Sequence, residues 1–153
     1  MKGKVAVLVA VLSLGVFTSA CSSSSTTPPT TTTTTAPMTL ADGCAQLTAI
    51  QTSGAGSAFG TQGFTFGAHP TLNNAKAYGF TARNLSDVLS SASWPSAAQS
   101  DVNALSKALS SLATQLYAYD GSAAMLTSVE AQSKEVGRVG NVLEKSLTCK
   151  SAF

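Results

Sequence analysis

Residues 101–119, Asp101 to Tyr119, read DVNALSKALSSLATQLYAY, and this stretch decides the fold. Val102, Leu105, Leu109, Leu112, Leu116 and Tyr119 follow one another at intervals of 3, 4, 3, 4 and 3 residues. That alternation keeps every large apolar side chain on one stripe of an α-helix, the seam a helix presents to other helices. A strand would need alternation of period two, which the stretch lacks. Just upstream, Pro95 suits a first helical turn, and Ser96 with Gln99 stands in capping-box relation. Downstream, Asp120-Gly121-Ser122 has turn chemistry.

Outward from this seam the same reasoning gives three more helices. Leu126, Val129, Val136, Leu143 and Leu147 share one face of a helix after the turn, interrupted at Ser133 and Gly140. Gly137 and Gly140 either admit a neighbouring backbone or weaken that helix by about 1 kcal/mol each. Glu130 and Lys134 are an i,i+4 pair in the favourable order. Before the seam, a helix runs from Leu72 or Asn73 to Ser91, with Ala75, Ala82, Leu85 and Leu89 as its apolar face; Ser93-Trp94-Pro95 breaks it. Trp94 is expected to cap the end of the bundle rather than to form a sugar-stacking platform. The earliest helix opens at Thr39, with Asp42 completing a capping box. It carries Leu40, Cys44, Leu47 and Gln51 at helical spacing and ends at Ser53-Gly54. No stretch alternates as a strand. The expected fold is all-α, an antiparallel up-down-up-down four-helix bundle over residues 39–153.

Between the first two predicted helices lies Gly54 to Pro70, read as a long Gly-rich loop, with at most a helical turn near Ala55–Phe59. It contains Phe59, Phe64, Phe66 and His69 and no charged residue. Two roles are open to these side chains. Phenylalanines beside a core usually pack into it; alternatively they form a docking or ligand loop. His69 is the only histidine in the chain. It is the one candidate for a general base or an axial haem ligand, yet no carboxylate or cysteine stands at a spacing that would make it a triad or a metal site.

The N-terminus is organised differently. Met1-Lys2-Gly3-Lys4 is positive, Val5 to Phe17 is uncharged and apolar, and Thr18-Ser19-Ala20-Cys21 follows. This three-part layout is that of a signal peptide over residues 1–20, and the apolar run falls short of the roughly 20 residues that span a bilayer. Ala20-Cys21 resembles the cleavage site of bacterial lipoproteins, and the Ala-, Ser-, Thr- and Gly-rich composition is similar to that of exported proteins of high-GC Gram-positive bacteria. The resemblance covers the first twenty-odd residues and implies that Cys21 becomes the acylated N-terminus. Thr18 departs from the aliphatic residue usual at that position. Residues 21–38 then form a tether, SSSSTTPPTTTTTTAPM after Cys21, with no hydrophobic period and an extended, disordered character expected from Pro and Thr. At about 3.1 Å per residue it reaches on the order of 50 Å. Its Ser/Thr/Pro composition also suits O-glycosylation.

Three cysteines complete the organisation. With Cys21 acylated, Cys44 and Cys149 remain, and in an oxidising exterior they pair. The start of the first helix and the end of the fourth share a pole in an up-down-up-down bundle, so the pairing and the fold agree.

Composition excludes several functions. The chain carries 9 basic and 7 acidic residues; removing Lys2 and Lys4 leaves 7 of each, and a formally neutral chain has no basic patch for nucleic acid. The serines lack a Gly-x-Ser-x-Gly elbow, and Gly54-Ala55-Gly56 lacks the lysine and the preceding strand of a phosphate loop. The carboxylates are scattered. No enzyme activity and no cofactor are expected. Two functions stay open: a membrane-anchored module that contacts an envelope protein or a cell-wall component, and a carrier or sensor of an apolar ligand, lipid or haem, held between helices. Acylation is directly testable. Metabolic labelling with a fatty-acid analogue is expected to mark the chain and to leave a Cys21→Ser variant unmarked; equal label in both would overturn it.

Overall fold

The computed structural model describes residues 36–149. The signal peptide, Cys21 and all but the last three residues of the tether lie outside that range. Among the described residues all regular structure is helical. There are five α-helices where four were expected: α1 (Leu40–Thr52), α2 (Gly54–Ala68), α3 (Leu72–Ser91), α4 (Gln99–Tyr117) and α5 (Ala123–Ser146).

Helix α1 starts as the sequence requires. The Asp42 amide donates to the Thr39 hydroxyl at 3.2 Å, and the Thr39 amide donates back to the Asp42 carboxylate at 3.0 Å. The Thr39 hydroxyl also donates to that carboxylate at 2.7 Å, and this bond, with the one from the Thr39 amide, holds the Asp42 carboxyl below its ordinary value. Helices α3 and α5 are capped by Thr71 and Ser122, whose hydroxyls accept from Asn74 and Met125. The turn before α5 places Gly121 at φ +88°, a left-handed conformation that glycine adopts without strain. The capping box expected at Ser96 and Gln99 does not form. A 3₁₀ turn, Ser96–Ala98, intervenes, and α4 starts at Gln99 with no side-chain cap.

Helix α2 overturns the expected loop. Gly54–Ala68 contains five glycines, each costing about 1 kcal/mol against alanine in a helix, so local propensity argues against it. Two features override propensity. Ser53 ends α1 by donating to the Ile50 carbonyl at 2.6 Å, then starts α2 by accepting from the Gly56 amide at 3.4 Å. Phe59 and Phe66, two turns apart, both reach the core.

The seam of α4 is the centre of that core. Val102, Leu105, Leu109, Leu112 and Leu116 are all buried, and Tyr119, just past the helix end, completes the stripe. α3 packs on one side of α4 and α5 on another. Across α3–α4, the buried Ser86 hydroxyl bonds the hydroxyls of Ser106 and Ser110, both at 2.9 Å. Across α4–α5, Gln132 donates to the Ala108 carbonyl at 3.1 Å. These polar contacts fix the register of otherwise apolar interfaces. Trp94 is buried at the end of α3, its indole N–H donating to the Leu89 carbonyl at 2.8 Å, which leaves no exposed ring for stacking a sugar.

Helix α1 lies over the end where α5 finishes and α3 turns into α4. A Cβ added to Gly43 would stand 2.6 Å from Leu147 Cδ2 and 2.8 Å from the Pro95 ring, so only glycine permits this approach. The Cys44 and Cys149 sulfurs are at disulfide-bonding distance, with Cα atoms 5.4 Å apart. The link closes a separation of 105 residues, worth about 4–5 kcal/mol in the chain-entropy model. Replacing both cysteines by alanine is expected to lower unfolding free energy by about that amount in chemical denaturation. A double variant as stable as the parent would show that α1 needs no covalent strap.

Candidate functional site

The aromatic residues of α2 separate into two groups. Phe66 is 3% exposed, stacked edge-on to Tyr119 with ring centroids 5.3 Å apart and tilted against Tyr78 at 6.0 Å. Phe59 is half-buried and lies 5.2 Å from Tyr78. Phe64 is 82% exposed. The expectation that three phenylalanines act together thus holds for none of the proposed roles: two are core and one is surface. The reason is helical phase. Positions 59 and 66 share a face, while 64 is rotated away from it. His69 caps the C-terminus of α2 as an exposed residue, and its carbonyl accepts from the Asn74 side chain at 2.8 Å.

Sequence reasoning missed a feature on the remaining face of α2. Gly56, Gly60, Gly63 and Gly67 follow at intervals of 4, 3 and 4 residues, the spacing of an apolar seam from which the side chains are missing. Opposite them on α5 stand Gly140, Val136, Ser133 and Val129, at the same intervals in reverse. In a filled bundle these positions would interlock. Here α2 packs against α3, and α5 against α4, but α2 and α5 are not among the closely packed pairs. A Cβ at Gly60, Gly67 or Gly140 would meet nothing within 4 Å. These three leave the space between α2 and α5 open, whereas Gly56 and Gly63 serve close approach, the first to the Ile50 and Gln51 carbonyls and the second to the Tyr78 ring.

Two cavities occupy that space. One, of about 310 Å³, is lined by Gly63, Phe66 and Gly67 of α2, Tyr78 of α3, and Val129, Ser133 and neighbours on α5. The other, of about 270 Å³, lies between Gly56, Phe59 and Gly60 on α2 and Val136 and Gly140 on α5, with Leu85, Leu89 and Leu105 below and Leu47, Ile50 and Gln51 of α1 closing one end. The Phe59–Tyr78 ring pair stands between them. Each is near the lower end of the roughly 300–1,000 Å³ typical of small-molecule sites. Between Gly56 and Gly67 the helix rises about 16 Å, so the cavities together suit a slender occupant.

Polarity is unequal along this line. The second cavity is almost wholly apolar. The first contains Tyr78, Ser133, Glu130 and Lys134. Tyr78 is 7% exposed and burial raises its phenol above the ordinary value; the Ser133 hydroxyl on α5 offsets part of that rise. The i,i+4 pair expected between Glu130 and Lys134 does not form. Among the described residues, the ion pairs are Arg83–Asp87 and Arg138–Glu135. His69 lines neither cavity, and no group of three His, Cys, Asp or Glu side chains that could hold a metal occurs among the described residues.

No protein-family model matches this chain, and no curated protein or solved structure does.

The division of the aromatics and glycines has measurable consequences. Phe66→Ala is expected to cost about 3–5 kcal/mol, and Phe64→Ala no more than about 0.5 kcal/mol. Gly60→Ala is expected to stabilise by up to about 1 kcal/mol, because the new methyl meets nothing. Thermal or denaturant melts of the three variants check this. Strong destabilisation by Gly60→Ala would mean that α2 and α5 close on each other.

Proposed function

We propose that this protein is a lipid-anchored, extracytoplasmic binding protein without catalytic activity, whose binding element is the groove between α2 and α5. In this reading α2, α3, α4 and α5 form the up-down-up-down four-helix bundle and α1 is a strap across one end. The signal-peptide layout and Ala20-Cys21 support export and acylation. The tether supports display of the helical region away from the membrane surface.

The observation that carries the reading is the pair of cavities, one almost wholly apolar and one with a polar side, where the seam of a bundle should be filled. Of the two functions open from sequence, a carrier or sensor of an apolar ligand accounts for this space, while an interaction module does not need it. Lipid suits the groove better than haem. Its cross-section is set by two rows of small residues, its length exceeds its width, and no imidazole lines it. The exposed Phe64 supports a second use, contact with an envelope protein or wall component, on the face of the same helix turned away from Phe59 and Phe66. Nothing in the neutral charge balance supports nucleic-acid binding.

A neutral fluorescent apolar probe, N-phenyl-1-naphthylamine, tests the groove directly. The chain from residue 21 onward, carrying Cys21→Ser to stay soluble, is expected to bind it saturably. Gly60→Leu and Gly67→Leu, which fill the two cavities, are expected to abolish binding while keeping the melting temperature at or above that of the parent. Unchanged probe binding in both variants would reject the groove as the site.

A further inference from the structure

We infer that the ligand of the α2–α5 groove is a single-chain amphiphile with a zwitterionic headgroup, of the lysophospholipid type, bound tail-first. This rests on the reading of the groove as a ligand site and adds the chemistry of what fills it.

Three observations converge on this class. The first is the polarity gradient. The cavity lined by Phe59, Leu85, Leu89, Leu105 and Val136 offers one hydrogen-bonding side chain, Gln51. The adjoining cavity offers the Tyr78 and Ser133 hydroxyls and the charged ends of Glu130 and Lys134. An occupant with one apolar and one polar end can be seated in only one direction. Its tail lies towards Leu105 and its head towards Glu130 and Lys134.

The second observation concerns Tyr78. Its side chain is more than nine-tenths buried, lines the polar cavity, and reaches within 3.1 Å of the position a Cβ at Gly63 would take. Its hydroxyl lies by the Ser133 hydroxyl of α5, so two hydroxyls stand together on the wall of the polar cavity. A glycerol hydroxyl or ester oxygen at the junction of head and tail can bond both.

The third is charge. Glu130 and Lys134 are the only charged residues lining either cavity, one turn apart on α5 and exposed. They are not joined to each other, whereas Glu135 and Arg138 on the same helix are, at 2.7 Å. A purely anionic head would meet Lys134 but be repelled by Glu130; a cationic head would face the reverse. A head with both charges satisfies both, phosphate to Lys134 and ammonium to Glu130. The tail then lies beside Phe59, which lines the apolar cavity and packs against Tyr78 of the polar one. That apolar cavity, of about 270 Å³, has room for one chain and not for two.

Four amphiphiles with the same dodecyl tail test this, each below its micellar concentration: dodecylphosphocholine, dodecyl sulfate, dodecyltrimethylammonium and dodecyl maltoside. Binding is measured by calorimetry on the chain from residue 21 onward with Cys21→Ser. The zwitterion is expected to bind about tenfold more tightly than the neutral maltoside. Lys134→Gln should shift preference towards the cation and Glu130→Gln towards the anion, with the maltoside unchanged by either. Shortening the tail should weaken binding about fourfold per methylene. Equal affinity for all four heads, or no response to either substitution, overturns the zwitterion while leaving the groove. Failure of all four to bind, with N-phenyl-1-naphthylamine still bound, overturns the amphiphile. Failure of that probe as well removes the groove reading beneath it.

Discussion

The leucine seam of α4 is the constraint on which the rest of the domain depends. Leu105, Leu109, Leu112 and Leu116 must all leave water, and each is worth about 1.5–3 kcal/mol when buried. One helix can cover only part of that stripe, so α3 takes one side and α5 another. The serine cluster around Ser86 and the Gln132–Ala108 bond then hold these partners in register. With α3 and α5 both packed on α4, the surface beneath α2 is defined. α2 docks on α3 through Phe59 and Phe66, and the two rings set its height above Tyr78.

What α2 does not do is as consequential as what it does. Leucines at 60 and 67 would reach towards the facing row of α5 and seal the bundle, whereas a side chain at 56 or 63 would run into the Ile50–Gln51 backbone or the Tyr78 ring. Glycine at 60 and 67 leaves a trough that is apolar over much of its length. The covalent link at Cys44–Cys149 and the tight contact of Gly43 with Pro95 and Leu147 fasten α1 at one end. The scaffold is therefore rigid around the site without depending on contact between α2 and α5. That separation of duties permits a groove in a domain of this size, where an unfilled seam would otherwise be a loss of core.

Much of this was legible in the sequence, for identifiable reasons. The 3-4 spacing of Val102 to Tyr119, the Thr39–Asp42 box and the Asp120-Gly121-Ser122 turn each rest on local chemistry that tertiary structure left intact. The start of α4 departs from its capping pattern because Pro95 leads into a 3₁₀ turn rather than into the helix itself. The helical state of α2 is masked by its glycines, which disfavour a helix locally. The corrective signal was present: Gly56, Gly60, Gly63 and Gly67 recur with the period of a seam, as do Phe59 and Phe66. Randomly placed loop glycines have no such phase. The groove itself was not legible, since it is a relation between α2 and α5 that neither helix carries alone. Nor was the freedom of Lys134 from Glu130, because i,i+4 spacing permits an ion pair without enforcing it.

The central claim is that the space between α2 and α5 holds a ligand. Intermolecular nuclear Overhauser effects between the isotope-labelled protein and the methylenes of bound dodecylphosphocholine measure that occupancy directly. The account predicts cross-peaks to Phe59, Leu85 and Val136, with headgroup methyls near Glu130. Cross-peaks confined to the outward-facing Phe64, with none inside the groove, would contradict it.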